Sequence, residues 1–158
     1  MTHKLIVVER TANSATNKIL LDVYAYWQSL RSGDSIPYRR DFRPAAIRRL
    51  LPYIILVDVL NDPRDFQFRL VGTAFITVTG QELTGRLISE VFPPQFRMEV
   101  FEGWNAIVEN GGPNWACGNV WIENKDFISW QGVALPLRAE TGSVDQLVGA
   151  GVFNMPHL

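Results

Sequence analysis

The glycines of "RLVGTAFITVTGQELTGR", residues 69–86, are the first candidates for chemistry. A strand that ends at a glycine before a helix can present backbone amides to a phosphate. A P-loop requires G-x-x-x-x-G-K-S/T, and a dinucleotide site requires G-x-G-x-x-G. Gly72, Gly80 and Gly85 fit neither spacing, and no lysine accompanies them. We therefore predict that these glycines end a strand and allow tight turns, so that the segment forms one wall of a pocket.

A basic run, "YRRDFRPAAIRR", is the second candidate. Arg39 and Arg43 have the R-x-x-x-R spacing of some cyclic-dinucleotide binders, and Arg40 lies between them. A pair of guanidinium groups can hold phosphates through bidentate contacts. The companion motif of those binders does not follow in a matching place. The sequence leaves two interpretations: a patch that binds an anionic ligand or an acidic partner, or a solvated helix face that Asp41 partly neutralises.

Catalysis and metal binding have little support in the sequence. The only histidines, His3 and His157, lie at the two ends of the chain, so a nucleophile–histidine–acid triad has no interior histidine. Histidines and cysteines are not clustered as metal ligands would be. The single cysteine, Cys117, cannot form an internal disulfide, which permits a reducing compartment. We predict that the protein is not an enzyme and holds no metal.

Size and charge limit the classes of partner. The chain has 158 residues and 47% hydrophobic content, which suits one globular domain over residues 1–158. The formal net charge of −1 gives no general attraction to nucleic acid or to a membrane surface. The apolar stretches are too short for a signal peptide or a membrane span. A cytoplasmic protein is expected.

Periodicity and turn residues predict the elements that would position a site. Helices are predicted over residues 15–32, 43–52 and 94–110. Strands are predicted over residues 53–61, 66–72, 115–123, 127–138 and 145–155. Short turns between consecutive strands make their pairing antiparallel. The predicted fold is α+β, a five-stranded antiparallel sheet with helices inserted between strands 2 and 3, plus an N-terminal helix.

Several strands are apolar on both faces, which predicts a sheet buried on both sides. The central helices would cover one face, and the N-terminal helix or a second copy of the chain would cover the other. Ser14 is the predicted N-cap of the N-terminal helix, and Gly33 its predicted stop. A homodimer is expected through the apolar stripe of this helix, formed by Val23, Tyr24, Trp27 and Leu30.

The order strand–strand–helices–strand–strand–strand resembles that of the PAS domain. The residues sharpen the likeness: "YWQSLRSGDSIPYRRDFRP", "LLPYIILVDVL", "FQFRLVGTAFITVTGQELTGR" and "LPLRAETGSVDQLVGAGVF" resemble a single-domain PAS-like family common in alphaproteobacteria. The resemblance covers roughly residues 24–153, with an extension and helix at 1–35 and a PAS core at about 44–155. It implies a sensory or regulatory domain and supplies no catalytic residues.

Two branches of the PAS superfamily imply cofactors that can be checked against the sequence. The flavin-photosensor branch has a reactive cysteine in the helical segment, within an NCRFLQ-like motif. That motif is absent, and Cys117 lies in a predicted strand. The haem-sensor branch usually has an axial histidine in a helix, which this chain lacks between His3 and His157. We expect neither haem nor flavin, and the cofactor stays unknown.

Strand parity indicates which side chains would face a pocket. It places Phe68 and Leu70 on one side of the sheet with Val57, and pairs Arg69 with Asp58 on the other. Aromatic residues on the long helix and a central strand are candidates to stack on a planar ligand. The predicted pocket residues are Phe68, Leu70, Thr73, Trp104 and Trp130.

The function that the sequence favours is a stand-alone PAS-like sensory or regulatory domain in signal transduction. It would bind a small ligand between sheet and helices, or a protein partner on the outer face of the sheet. One alternative is a cone-shaped α+β enzyme or binding protein of the nuclear-transport-factor type, which the missing interior histidine disfavours. Another is a ligand-free interaction adaptor whose pocket is filled by large side chains, since the chain has nine phenylalanines and five tryptophans.

Overall fold

In the computed structural model, one antiparallel sheet lies between two layers of helical segments; the structure describes residues 6–9, 17–122 and 124–155. The strands are β1 (Ile6–Glu9), β2 (Ile54–Leu60), β3 (Asp65–Val71), β4 (Asn114–Asn119), β5 (Ser129–Arg138) and β6 (Val144–Asn154). The helices are α1 (Lys18–Ser29), α2 (Thr73–Thr79), α3 (Ile88–Val91) and α4 (Pro94–Asn110). Two 3₁₀ segments cover Arg39–Asp41 and Pro44–Tyr53.

The strand order in the sheet is β1-β4-β5-β6-β2-β3, and every neighbouring pair is antiparallel. The α+β fold predicted from the sequence is confirmed: five antiparallel strands, with α2, α3 and α4 inserted between the second and third of them, and α1 in front. The structure adds a sixth strand that the sequence did not predict. This strand, β1, pairs with the free edge of β4.

Local sequence explains where the two long helices begin and end. At the start of α1, the side chain of Asn17 accepts a hydrogen bond from the Ile19 amide at 2.9 Å. Ser14, the predicted cap, lies outside the described residues. The helix α4 has Pro94 in its first turn and ends at Gly111, whose φ of 74° is a left-handed conformation. Its bounds are those predicted. Among the described residues, no helix is long and apolar enough to cross a membrane.

The face of the sheet that α1 covers, called the outer face, is packed with large aliphatic and aromatic side chains. Val23 and Trp27 are fully buried there, together with Leu135 and Val148 from the central strands. The indole Nε1–H of Trp27 donates to the carbonyl oxygen of Pro136 at 2.8 Å. This buried contact fixes α1 on the sheet.

The packing of α1 corrects the predicted dimer surface. Val23 and Trp27 are used inside the chain, so they are not available to a second copy. Tyr24 packs edge-on against Trp115 with a centroid distance of 5.4 Å, and Leu30 is half-buried in the same cluster. The outer face was also the predicted location for a protein partner, and α1 covers it. The stripe and the sheet surface beneath it are occupied within the chain, because this amphipathic helix finds its apolar partner in its own sheet.

The opposite face, called the cavity face, is covered by α2, α3 and α4. Fully buried side chains from the sheet and from these helices meet there, among them Phe66, Ile88 and Ile107. Aromatic rings pack beside them, among them Phe68 and Trp104. This is the face on which the sequence predicted a pocket.

A β-bulge in the β2–β3 pair changes which side chains reach the cavity face. Leu56 pairs with Leu70, whereas Val57 pairs with Phe68, so Arg69 is an extra residue on β3. The bulge turns Leu70 to the outer face, where it packs with that cluster. The placement of Leu70 beside Phe68 was therefore wrong. The predicted ion pair does form: Arg69 Nη1 lies 3.2 Å from Asp58 Oδ2.

Candidate ligand-binding cavity

A cavity of about 130 Å³ lies between the cavity face and helices α2 and α4, and it is partly open to solvent. Its lining is almost entirely apolar. The phenylalanines in the lining are Phe68, Phe75, Phe92, Phe96 and Phe153. The tryptophans are Trp104, Trp121 and Trp130. Such a site binds through shape and apolar contact, with few polar groups to orient a ligand.

The floor of the cavity consists of small residues on three adjacent strands. These residues are Ala116 on β4, Gly132 and Ala134 on β5, and Gly149 and Gly151 on β6. They are paired in register: Ala116 and Gly151 both lie opposite Gly132, and Ala134 lies opposite Gly149. Because alternate residues of a strand share a face, they form one continuous patch with almost no side chains.

Two floor glycines are required by close approach rather than by backbone conformation. A Cβ at Gly149 would lie 2.6 Å from Cγ1 of Ile55. A Cβ at Gly151 would lie 2.9 Å from Cζ of Phe75. The missing side chains therefore let a strand residue and a helix residue lie directly on the sheet. The floor is therefore formed largely by backbone atoms and methyl groups, with Ile55 and Phe75 packed on its two β6 glycines.

Edge-to-face contacts hold the aromatic walls in place. The ring centroids of Phe92 and Trp121 are 4.8 Å apart at 87°, and those of Phe75 and Phe153 are 5.3 Å apart at 89°. Phe96 also packs on Trp121, with a centroid distance of 4.8 Å. Such pairs stabilise aromatic clusters beyond the area they bury. The aromatic walls are therefore stabilised by contacts between neighbouring rings.

Two polar side chains line this apolar cavity, Glu99 from α4 and Asn114 from β4. The Oε2 atom of Glu99 is fully buried and has no hydrogen-bond partner among the described residues. The amide Nδ2 of Asn114 points at the carbonyl oxygen of Gly103 from 3.5 Å, a long contact. Both polar groups therefore lie on the α4 side of the cavity.

The structure brings three of the five predicted pocket residues to the cavity. Phe68, Trp104 and Trp130 line it. Leu70 does not, because of the bulge, and Thr73 does not because it is exposed at the first turn of α2. The residue of α2 that lines the cavity is Phe75, two positions later.

The sequence reasoning missed the floor and Glu99. Each had a signal. Small residues recur at alternate positions in "QGVALP" and in "VGAGVF", which predicts one bare strand face. Glu99 lies three residues after Phe96 and four before Gly103, within the apolar stripe of α4. A charge at such a position has to be paired, liganded or left at a cost.

The predicted arginine patch is largely neutralised by acidic side chains of the β5–β6 region. Arg39 Nη1 lies 2.9 Å from Asp145 Oδ2, and Arg40 pairs with Glu140. The Arg40 guanidinium lowers the pKa of the Glu140 carboxyl through their hydrogen bond. The guanidinium of Arg40 also lies 4.3 Å from the ring centroid of Tyr38.

Arg43, the third member of the patch, has an exposed side chain, and its backbone amide donates to the Tyr26 hydroxyl at 3.1 Å. The arrangement fits the second interpretation of this run, a solvated and self-neutralised surface. Two of its three guanidinium groups already have carboxylate partners, so the patch offers little unpaired charge to an anion.

Cys117 does not reach the cavity. It lies on β4 between Ala116, which lines the cavity, and Gly118. Since successive side chains of a strand point to opposite faces, the thiol lies on the side away from the cavity. His3 and His157 are outside the described residues. In the described part of the chain, no group of three or more His, Cys, Asp or Glu side chains is placed to hold a metal ion.

Comparison with known proteins decides the family. The family model for the PAS domain matches residues 15–152. The chain belongs to the PAS-domain family. PAS domains are sensory and signalling modules and are generally not enzymes, which is the general class of this chain. Membership of the PAS family takes the place of the nuclear-transport-factor fold that the sequence left as an alternative. No curated protein matches the chain.

Two solved structures are similar in fold to this PAS domain. One is an RNA-binding light-oxygen-voltage receptor, with a TM-score of 0.49 and 19% identity over 77% of this chain and 35% of that one. The chain thus spans about a third of that receptor. The other is a light-oxygen-voltage domain structure described by the words "Flavin Analogue Sheds Light", with a TM-score of 0.49 and 17% identity over 70% of this chain and 83% of that one.

Proposed function

We propose that this PAS domain is a sensory module that binds a small apolar ligand in the cavity between its sheet and α2 and α4. The observation that carries the proposal is the cavity itself, with aromatic walls above a floor of glycine and alanine. A core filled completely by side chains, as a pure interaction adaptor would have, would leave no such open volume. The cavity favours the ligand-binding alternative.

The size of the cavity favours a ligand built on a single ring. Its volume is about 130 Å³. For comparison, an engineered apolar cavity of roughly 150 Å³ binds benzene. Ala116 and Ala134 present only methyl groups to the cavity, whereas Phe75 and Trp130 already lie over Gly151 and Gly132. A planar ring therefore fits on the floor beside these two aromatic side chains.

Two features favour a ligand smaller than the flavin named for one of the structural neighbours. The three fused rings of a flavin need far more room than a benzene-sized cavity provides. Cys117, the only cysteine of the chain, lies on the other face of its strand, so its thiol is not placed to bond to a ring in the cavity. We infer no flavin chemistry for this chain, and the natural ligand is unidentified.

A homodimer stays part of the proposal, without the stripe of α1 as its surface. Val23 and Trp27 are buried against the sheet, so a dimer has to use another part of the chain. Sedimentation velocity of the Leu30→Ala variant, which changes the half-buried end of the stripe, beside the wild type tests this. An unchanged dimer is expected, whereas a purely monomeric wild type rules the dimer out.

A probe-binding experiment tests the cavity. Toluene is titrated into ¹⁵N-labelled protein, and the amide signals of Gly132, Gly149 and Gly151 are followed. The expected result is saturable shifts at these floor glycines. Ala134→Leu places a larger side chain on the floor and should abolish the shifts. The matched control, Ala25→Leu, makes the same change at an exposed position of α1 and should leave binding intact.

Mass spectrometry of the purified protein addresses the natural ligand. Native and denaturing spectra are compared for protein from a heterologous host. A reproducible non-covalent extra mass in the wild type that disappears in Ala134→Leu supports ligand binding at this site. If toluene leaves the floor glycines unmoved and no extra mass is present, the proposal is wrong and the adaptor alternative takes its place.

A further inference from the structure

We infer that Glu99 makes the cavity selective for a small arylalkylamine, whose ring lies on the small-residue floor and whose ammonium group donates to Oε2 of Glu99. The inference rests on the proposed ligand binding and goes further by naming the chemical class of the ligand. The selectivity depends on the surroundings of the Glu99 carboxylate.

The carboxylate of Glu99 has an acceptor position that the described residues leave unused. Its Oε2 atom is buried in an otherwise apolar lining, without a hydrogen-bond partner among those residues. Burial of a polar group without a partner is unfavourable, and more so for a charged one. An ionised carboxylate can only accept hydrogen bonds. The partner that would satisfy this atom is therefore a donor.

No nearby group in the described part of the chain supplies that donor. Its ion pairs use other carboxylates, namely Asp22, Asp41, Asp58, Glu140 and Asp145. The helix neighbours of Glu99, one turn away on α4, are Gln95, Phe96, Glu102 and Gly103. None carries a positive charge. The cavity lining contains no lysine, arginine or histidine among the described residues.

The second polar group of the lining offers another acceptor on the same side. Asn114 directs its Nδ2 donor towards Gly103, which leaves its Oδ1 oxygen as an acceptor. Gly103 is four residues after Glu99, so the two polar side chains lie along the same face of α4. A Cβ at Gly103 would lie 3.3 Å from Asn114 Nδ2, which explains why a glycine accommodates the amide. This side of the cavity therefore favours a ligand group with several N–H donors.

The aromatic walls favour a positive charge on that group. Phe96 precedes Glu99 by three residues on α4, and its ring packs against Trp121. The faces of aromatic rings attract cations, and most strongly where water is excluded. The buried carboxylate would repel an anionic ligand. A compact ammonium group beside one ring can interact with the ring face and donate hydrogen bonds to Glu99. A ligand carboxylate can do neither.

The test compares three probes with the same ring. Benzylamine, toluene and phenylacetate are titrated into the wild type, Glu99→Gln and Glu102→Gln, with the floor glycine amides and the Trp104 and Trp121 indole signals as readouts. Glu102 is exposed on the same helix, so Glu102→Gln is the matched control. Circular dichroism checks that each variant is folded.

The expected result is a preference that depends on Glu99. In the wild type, benzylamine should bind at least about tenfold more tightly than toluene, and phenylacetate should bind most weakly, since a hydrogen bond between charged groups is among the stronger ones. Glu99→Gln should weaken benzylamine by about tenfold and leave toluene within about twofold. Glu102→Gln should behave as the wild type.

Three outcomes overturn the inference, and they can be told apart. If toluene and benzylamine bind equally and Glu99→Gln changes neither, the cavity binds ligands without this selectivity. If Glu99→Gln weakens both probes alike, Glu99 supports the structure and does not choose the ligand. If none of the three probes moves the cavity signals of the wild type, the proposed function fails together with the inference.

Discussion

The two faces of the sheet are built from alternate residues of the same strands and differ in what they enclose. On β5, Leu135 and Leu137 point to the outer face and are fully buried under α1. Gly132 and Ala134 point the other way and form part of the cavity floor. The helices on both sides offer aromatic side chains, so the helices do not account for the difference. The open space depends on the size of the strand residues.

The comparison teaches that close packing and the proposed ligand binding lie on different faces of one sheet. The outer face buries large side chains in one cluster, and such close packing stabilises the fold. The cavity face leaves volume unfilled, and among the described residues it leaves a carboxylate oxygen without a partner; both lower stability. Such local costs are typical of sites that act on a ligand. Four predictions test this division.

The largest effect is expected from truncation at the centre of the outer face. Trp27→Ala should lower the free energy of unfolding by about 3–5 kcal/mol, because it leaves a large cavity and removes the donor to the Pro136 carbonyl. Trp104→Ala on the half-buried wall of the cavity should cost clearly less. Urea unfolding measures both. Equal losses would contradict the division between the faces.

The next effect comes from adding the same side chain to the two faces. Ala150 belongs to the outer cluster and Ala134 to the cavity face, and both are buried. Ala150→Leu should destabilise by about 1–3 kcal/mol because the outer face has no room for it. Ala134→Leu should cost less, since its added atoms enter the cavity. Chemical unfolding of the two variants decides, and the reverse order would show that the cavity face is the tighter one.

A smaller gain is expected when the unpaired carboxylate is removed. Glu99→Met keeps helix propensity and side-chain length but removes the buried Oε2 atom. The free energy of unfolding should rise by about 1 kcal/mol in the absence of ligand. Glu102→Met, at an exposed position of α4, serves as the control and should change little. A loss of stability at Glu99→Met alone would mean that the carboxylate has a stabilising partner.

The smallest effect is a pH dependence at the edge of the outer face. Hydrogen bonds from Lys18 and Arg49 lower the pKa of Asp22. A lowered pKa in the folded state contributes stability above the pKa of an unfolded aspartate, roughly 3.9, and that contribution is lost as the pH falls through the folded-state value. Asp22→Asn should therefore melt slightly below the wild type at neutral pH.

The difference between wild type and Asp22→Asn should vanish in acid. Melting temperatures measured from neutral pH to below the folded-state pKa of Asp22 give the comparison, since both chains are then uncharged at this position. Because all three side chains lie at the surface, the effect is small. A difference that persists unchanged in acid would assign it to packing rather than to charge.

The sequence predicted those parts of the fold that local signals determine. Pro94 and Gly111 mark the ends of α4, and both are strong signals at helix ends, so the predicted bounds were right. The five core strands followed from apolar runs separated by short turns. Strand β1 was missed because four residues are too few for a period to be recognised.

Placement of side chains on the two faces was predicted less well. Alternation assumes an unbroken ladder, and the extra residue Arg69 reverses the face of Leu70. The stripe on α1 was read correctly as apolar, but an apolar stripe does not say whether it meets its own sheet or another chain. Glu99 was missed because a single glutamate on a helix is ordinarily exposed to solvent. Its position inside an apolar helix stripe was the available signal.

The floor of the cavity also bears on how this chain can evolve. A larger residue at Gly149 or Gly151 would collide with Ile55 or Phe75. Ala116 and Ala134 already carry a methyl group and line the cavity. Under the proposed function, single substitutions at these two alanines would alter the size of the ligand that fits, while the outer core stays unchanged. Because alternate residues of a strand face opposite sides of the sheet, such substitutions would change the proposed ligand site and leave the packed outer core intact.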